Sequence, residues 1–305
     1  MRFATAEDGS GVFIGVLEEG ADLILPLAKA EKRRGGTKEI PKSLLEAVSM
    51  GEGFVHNARE LLNWAKDNEA GKELLLPLES VKLLAPIPKP VKNILCVGKN
   101  YAEHAIEMGS KDDIPEHIMV FTKAPTSVSG PEEEVLSHAG VTEQLDYEGE
   151  LAVVIGKAGR GISEEEALSH VFGYTIINDV TARDLQAKHK QFFIGKSLDS
   201  TCPMGPWIVH KSAIQNPGRL DIETKINGEV RQSSNTENFI FPIEVIISEL
   251  SKGMTLEPGD ILATGTPAGV GKGFKPPRFL KPGDVMEVTV EKIGTLRNRV
   301  EGINR

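Results

Sequence analysis

The chain has 305 residues, 40% of them hydrophobic and 26% charged, with a formal net charge of −9 and a sequence pI near 5.4. That is enough chain for one large domain, or a large one with a small companion, and it carries no basic stripe or aromatic-interleaved basic patch, which argues against nucleic acid as a partner. The opening MRFATAEDGS lacks the basic and apolar regions of a signal peptide, and no apolar run approaches the ~18 residues of a spanning helix, so a cytoplasmic protein with no membrane attachment is expected.

In chain order, segments 11–17 and 21–25 read as a strand pair. Segments 41–49 and 54–66 carry helical periodicity, the second with Val55, Leu61, Leu62 and Trp64 as core positions. Residues 85–90, Ala-Pro-Ile-Pro-Lys-Pro, can neither continue a helix nor sit inside a ladder. That places a boundary between a small N-terminal α+β domain, 1–88, and a larger domain, 89–305. Beyond it, strands are expected at 93–97, 117–121, 148–155, 171–177, 207–209, 220–226, 261–264 and 286–290. Helices are expected at 102–108, 164–170 and 181–190, the last capped by Thr181. Asn227-Gly228 is a hairpin signal. Many strands with few helices indicate an α+β, β-rich mixed roll or sandwich rather than a doubly wound sheet. Two cysteines, Cys96 and Cys202, are too few for a Cys-rich zinc site; one disulfide is open on count alone, with reduced thiols the simpler expectation.

Glu148 and Glu150 stand two residues apart at the start of an apolar strand, so both point to one face. With an effective dielectric of about 20, their repulsion is roughly 2–3 kcal/mol before desolvation. Such a pair needs a proton or a cation. Asp179, at the end of the next long apolar strand, is the natural third member. Three oxygen ligands without a nearby Cys favour a hard ion, Mg²⁺ or Mn²⁺. Taken alone, Glu-x-Glu is usually a solvated strand start. Here Arg183 and Gln186 follow Asp179 at spacings of four and seven, where they can grip a substrate carboxylate.

Five ordered blocks resemble the fumarylacetoacetate hydrolase family: Gly98-Lys-Asn-Tyr-Ala-Glu-His104, Leu145-Asp-Tyr-Glu-Gly-Glu-Leu151, Asn178-Asp-Val-Thr-Ala-Arg-Asp-Leu-Gln186, Gly195-Lys-Ser-Leu-Asp-Ser-Thr-Cys-Pro203 and Thr264-Gly-Thr-Pro-Ala-Gly-Val-Gly271. They span the chain from about residue 93 onward, and the whole is similar to the two-domain bacterial members. The resemblance implies a β-rich roll with its site at the mouth, a homodimer, and metal ligands at Glu148, Glu150 and Asp179. It also singles out His104 and Glu107, three residues apart on one short helix, where the carboxylate can orient an imidazole base. Lys196 matches the family's active-site lysine, and Lys123 and Thr266 match positions beside the bound keto acid. The glycines after Thr266 do not make a phosphate loop, since that spacing needs Gly at 266 and Ser or Thr at 273, where Thr and Gly stand.

The resemblance implies divalent-metal-dependent chemistry on a small 2-keto acid. Oxaloacetate decarboxylation leads and acylpyruvate hydrolysis follows closely, with Lys196 and Arg183 on the distal carboxylate. Isomerisation of an unsaturated keto diacid, of the 2-hydroxyhepta-2,4-diene-1,7-dioate type, uses the same metal-stabilised enolate. A different class, a keto-acid-binding or scaffold protein, would keep the site without turnover.

Overall fold

The computed structural model describes residues 1–18 and 20–302. The expected apolar strands become the centre of one long sheet. Its order is Leu76–Pro77, Leu23–Pro26, Gly11–Leu17, Arg2–Asp8, Cys202–His210, Val171–Asn178, Gly149–Ile155, Ile261–Ala263, Ile94–Gly98 and Met119–Lys123. Every neighbouring pair on this path is antiparallel except Ile261–Ala263 with Ile94–Gly98. A second sheet runs Glu229–Asn235, Asp221–Ile226, Val285–Val290, Gly294–Val300, Glu134–Val135. The Asn227-Gly228 hairpin is present, with both residues at positive φ. The fold is thus β-rich α+β, as the strand and turn pattern implies.

Both faces of the long sheet are buried. Phe3, Val16, Ala152, Val154 and Ile208 join Phe54, Val55, Leu61 and Leu62 of the helix Glu52–Asp67. On the other face, Leu151, Val153, Ile176 and Val209 pack with Ile222, Val288 and Leu296 of the second sheet and with Ile246 of the helix Ile243–Ser251. A strand covered on both sides reads as a continuous apolar run, and Gly149–Ile155 and Val171–Asn178 do. Gly149, between the two glutamates, faces the second sheet, where an added Cβ would lie 2.2 Å from Thr224 Oγ1.

Several expectations change. Arg2–Asp8, absent from the sequence reading, pairs with both Gly11–Leu17 and Cys202–His210, so the sheet runs without a break from the N-terminal segment into the rest of the chain. Its two alanines, Ala4 and Ala6, are fully buried but give little hydrophobic signal. In the proline-rich stretch, Ala85 and Ile87 are buried and Thr5 donates to the Pro86 carbonyl at 2.7 Å. The helix expected over 181–190 covers only Arg183–His189, and Thr181 does not cap it. Thr181 pairs with Asp146 in a two-residue bridge and donates its hydroxyl to the Asp179 carbonyl at 2.8 Å, so strand pairing wins over the first helical turn. The strand expected over 207–209 is nine residues long, Cys202–His210.

Cys96 and Cys202 are free and fully buried. Burial pushes the Cys202 thiol up to about 12 and, helped by Asp179 and Glu150, pushes Cys96 well above its ordinary range. The native protein is expected to resist a thiol-titrating disulfide reagent at mildly alkaline pH, with both thiols reacting once guanidinium unfolds it. Rapid stoichiometric labelling of the native protein would contradict this burial. No helix among the described residues is long and apolar enough to cross a membrane.

Candidate active site

The strand start at Gly149 and the strand end at Asn178 lie opposite each other. The backbone N–H of Asp179 donates to the Glu148 carbonyl at 2.8 Å, and Asn178 Oδ1 accepts from the Glu148 N–H at 3.0 Å. This junction brings Glu148, Glu150 and Asp179 together. Each offers an oxygen within 4.8 Å of the others, and all three side chains are buried. Glu148 and Glu150, but not Asp179, line a cavity of about 390 Å³, together with His104, Phe121, Arg183, Gln186, Lys196, Thr266 and Lys272.

Burial, reinforced by Asp179 and Glu148, pushes the Glu150 carboxyl well above the usual carboxylate range. Burial would do the same to Glu148, but Lys196 and Arg183 outweigh it and hold Glu148 well below that range. Lys196 Nζ donates to Glu148 Oε2 at 2.7 Å and Asp179 Oδ2 at 2.6 Å; Arg183 Nη2 lies 2.6 Å from Glu148 Oε1. Lys123 Nζ sits 2.8 Å from Asp179 Oδ1 and donates to the Val180 carbonyl at 3.0 Å. Asp179 Oδ1 nevertheless accepts no well-aligned hydrogen bond. Converging carboxylates, one pushed toward its neutral form and one with an unsatisfied oxygen, fit a hard divalent cation. Gly265 supports them: its N–H donates to Glu150 Oε2 at 2.8 Å from a backbone at φ +102, where a Cβ would lie 2.7 Å from Asn100 Cβ.

The helix Ala102–Met108 places His104 at the cavity wall with its Nδ1 3.5 Å from Glu107 Oε2. Glu107 also accepts from the Gly269 N–H at 3.0 Å and 3.1 Å, tying that helix to the glycine-rich loop. Gly269 is at φ +106, and a Cβ there would meet the Arg231 carbonyl at 1.9 Å. Thr266 lines the cavity, donates to the Gly149 carbonyl at 3.0 Å and accepts from Gln232 at 2.7 Å. Gln186 lines the cavity and accepts from Arg183 Nη1 at 3.3 Å. Lys123 is fully buried and does not line the cavity.

A family model described as fumarylacetoacetate (FAA) hydrolase C-terminal matches residues 93–301. The chain belongs to the fumarylacetoacetate hydrolase family. Among family relatives, it is 59% identical over 301 residues to the oxaloacetate tautomerase YisK of Bacillus subtilis, covering 98% of this chain and 100% of that protein. The solved fumarylacetoacetate hydrolase from psychrophilic Exiguobacterium antarcticum is 44% identical with a TM-score of 0.81, covering 99% of each chain. A 2-hydroxyhepta-2,4-diene-1,7-dioate isomerase from Mycobacterium marinum is 31% identical with a TM-score of 0.73, covering 100% of each. Membership in the fumarylacetoacetate hydrolase family makes this chain an enzyme, built on the fold its ordered blocks imply.

Sequence reasoning passed over three buried residues that organise this family site. Asp146 is fully buried and accepts from Arg183 Nε at 2.9 Å, the Gly271 N–H at 2.6 Å and the Lys272 N–H at 3.0 Å. Asn100 donates to the Thr264 carbonyl at 2.8 Å and accepts from the Phe241 N–H at 2.8 Å. Gln232 accepts from the Gly149 N–H at 3.0 Å and donates to Thr266 and the Pro267 carbonyl, each at 2.7 Å. Asp146 and Asn100 stand inside the matched blocks as polar residues beside apolar strands, a signal available in principle. Gln232 has none, because its partners lie 83 and 34 residues away.

Proposed function

We propose that this enzyme interconverts the keto and enol forms of a small 2-keto dicarboxylic acid of the oxaloacetate class. The observation that carries this reading is the buried triad of Glu148, Glu150 and Asp179, of which the two glutamates line a cavity whose walls also present a histidine and several cations. The 59% identity to a protein named an oxaloacetate tautomerase supports the substrate class and the reaction. The triad would hold Mg²⁺ or Mn²⁺. A bound divalent cation supplies the positive charge that polarises a 2-keto oxygen and acidifies the neighbouring C3–H.

In this reading the residues divide the work. His104 Nε2 takes the proton from C3, with Glu107 beside Nδ1 at 3.5 Å. The C3–H bond breaks, the C2=C3 bond forms and the keto oxygen gains a proton, so the exchange balances without any other reactant. Lys196 and Arg183 hold Glu148 ionised and oriented, while Thr266 and Gln186 line the space taken by the substrate's keto-acid end. A second reading is carbon–carbon cleavage, by decarboxylation of oxaloacetate or hydrolysis of an acylpyruvate. The His104–Glu107 pair favours it, because an imidazole held by a carboxylate can also activate water.

Proton–deuterium exchange at C3 of oxaloacetate, followed by NMR, tests the first reading, and coupled pyruvate detection tests the second. With Mg²⁺ or Mn²⁺, exchange is expected to outrun pyruvate release; EDTA should abolish it and added metal restore it. His104→Asn should slow exchange about 10²–10⁴-fold. Exchange that persists unchanged in EDTA would sink the metal assignment, and exchange slower than pyruvate release would make cleavage the reaction.

A further inference from the structure

Five cationic side chains line the cavity: Lys99, Arg183, Lys190, Lys196 and Lys272. Three are already committed. Arg183 and Lys196, which the sequence reading gave to the substrate's distal carboxylate, are ion-paired to Asp146, Glu148 and Asp179. Lys99 is ion-paired to Asp113 at 3.0 Å. Lys190 and Lys272 are both exposed, and Lys190 lies just beyond the helix Arg183–His189. Lys272 alone among these is presented by a locked loop while its ammonium has no ion pair among the described residues.

The lock is in the backbone. Asp146 accepts from both the Gly271 and Lys272 N–H groups, Arg278 N–H donates to the Gly271 carbonyl at 2.8 Å, and Gly273 N–H donates to the Val270 carbonyl at 2.9 Å. The flanking glycines allow this close fit. A Cβ on Gly271 would lie 2.6 Å from Asp146 Oδ1, and one on Gly273 would lie 2.2 Å from Glu107 Cδ. Lys272 therefore stands between the Asp146–Arg183 unit and the helix that carries His104 and Glu107. Desolvation at the cavity, then the Arg183 charge, pull its pKa below that of an ordinary lysine against the opposing pull of Asp146.

We propose that Lys272 binds the second carboxylate of the substrate and so sets the preference for 2-keto dicarboxylic over monocarboxylic acids. This rests on the keto-acid reading above. The keto-acid end of the substrate would face the carboxylate triad and its far carboxylate would face Lys272, which gives the cavity a fixed polarity.

The test uses the full-length Mg²⁺-loaded protein, Lys272→Met and Lys272→Arg. C3 exchange is measured on oxaloacetate and on 2-ketobutyrate, which carries a methyl group in place of the second carboxylate. In Lys272→Met the ratio of kcat/KM for oxaloacetate to that for 2-ketobutyrate should fall about tenfold or more, the scale of one charge-assisted hydrogen bond, chiefly through the KM for oxaloacetate. Lys272→Arg should keep most of the preference. An unchanged ratio in Lys272→Met, or equal losses on both substrates, would overturn the assignment. If the wild type exchanges neither substrate, the keto-acid chemistry fails by itself. Lys272 is then judged by thermal stabilisation with oxaloacetate: a wild-type shift lost in Lys272→Met supports it, and the same shift in both, or none in either, overturns it.

Discussion

Replacing Glu148 with alanine is expected to lower kcat/KM for oxaloacetate enolisation by about 10³-fold or more, the scale of losing a transition-state electrostatic partner, and to destabilise the fold as well. The two effects share one cause. Glu148 is buried and takes Lys196 on one oxygen and Arg183 on the other, at 2.7 Å and 2.6 Å. Removing it leaves two buried cations each short of a counter-charge. Breaking a buried ion pair from one side costs about 3–5 kcal/mol, a large share of a typical 5–15 kcal/mol stability. In a chain of this length that corresponds to a fall in Tm of roughly 5–10 °C. Melting with and without Mg²⁺ separates the two consequences. The wild type should gain stability from the ion, because binding favours the folded state. Glu148→Ala should gain little. Glu148→Gln, which keeps the volume, should recover part of the stability and none of the metal response. A variant with wild-type turnover and a wild-type metal shift would remove Glu148 from the site altogether.

The convergence of the three carboxylates was legible because it is written in local spacing. Glu148 and Glu150 are two residues apart on a strand, and Asp179 ends the next one, so period-two geometry and one antiparallel neighbour suffice to bring them together. The strands themselves were legible for a similar reason: Gly149–Ile155 and Val171–Asn178 are buried on both faces and read as unbroken apolar runs. Arg2–Asp8 escaped notice because its core residues include two alanines and its partners include a strand some 200 residues later. The roles of the cations were the least legible part. Charge spacing places Arg183 near the substrate, but only the fold reveals that Asp146 and Glu148 already hold it. Lys272 was not singled out in the sequence, because its lack of an ion pair among the described residues is a property of the assembled cavity.

Asp146→Asn should prove nearly as damaging as Asp146→Ala, although it changes a single atom. Asp146 Oδ1 accepts from the N–H groups of Tyr147 and Gly271, and Oδ2 accepts from Lys272 N–H and Arg183 Nε. Both oxygens are acceptors facing donors, so an asparagine in either orientation points its NH₂ at two other N–H groups. Each buried donor left unsatisfied costs about 1–3 kcal/mol, which puts the asparagine variant at a loss of roughly 2–6 kcal/mol. The catalytic loss should be milder than for Glu148→Ala, about 10–100-fold, the usual scale for residues that orient others. It should come from Arg183 and the 271–273 turn losing their fixed positions. Hydrogen exchange distinguishes this from a uniform loosening. The amides of Gly271 and Lys272 should lose more protection than those of the strand Gly149–Ile155, which keeps its ladder to Val171–Asn178. Equal loss across the strand and the turn would reduce Asp146 to a general contributor to stability. A local loss confined to the turn would tie the buried carboxylate to the loop that carries Thr266 and Lys272, and through Arg183 to the Glu148–Glu150–Asp179 triad itself.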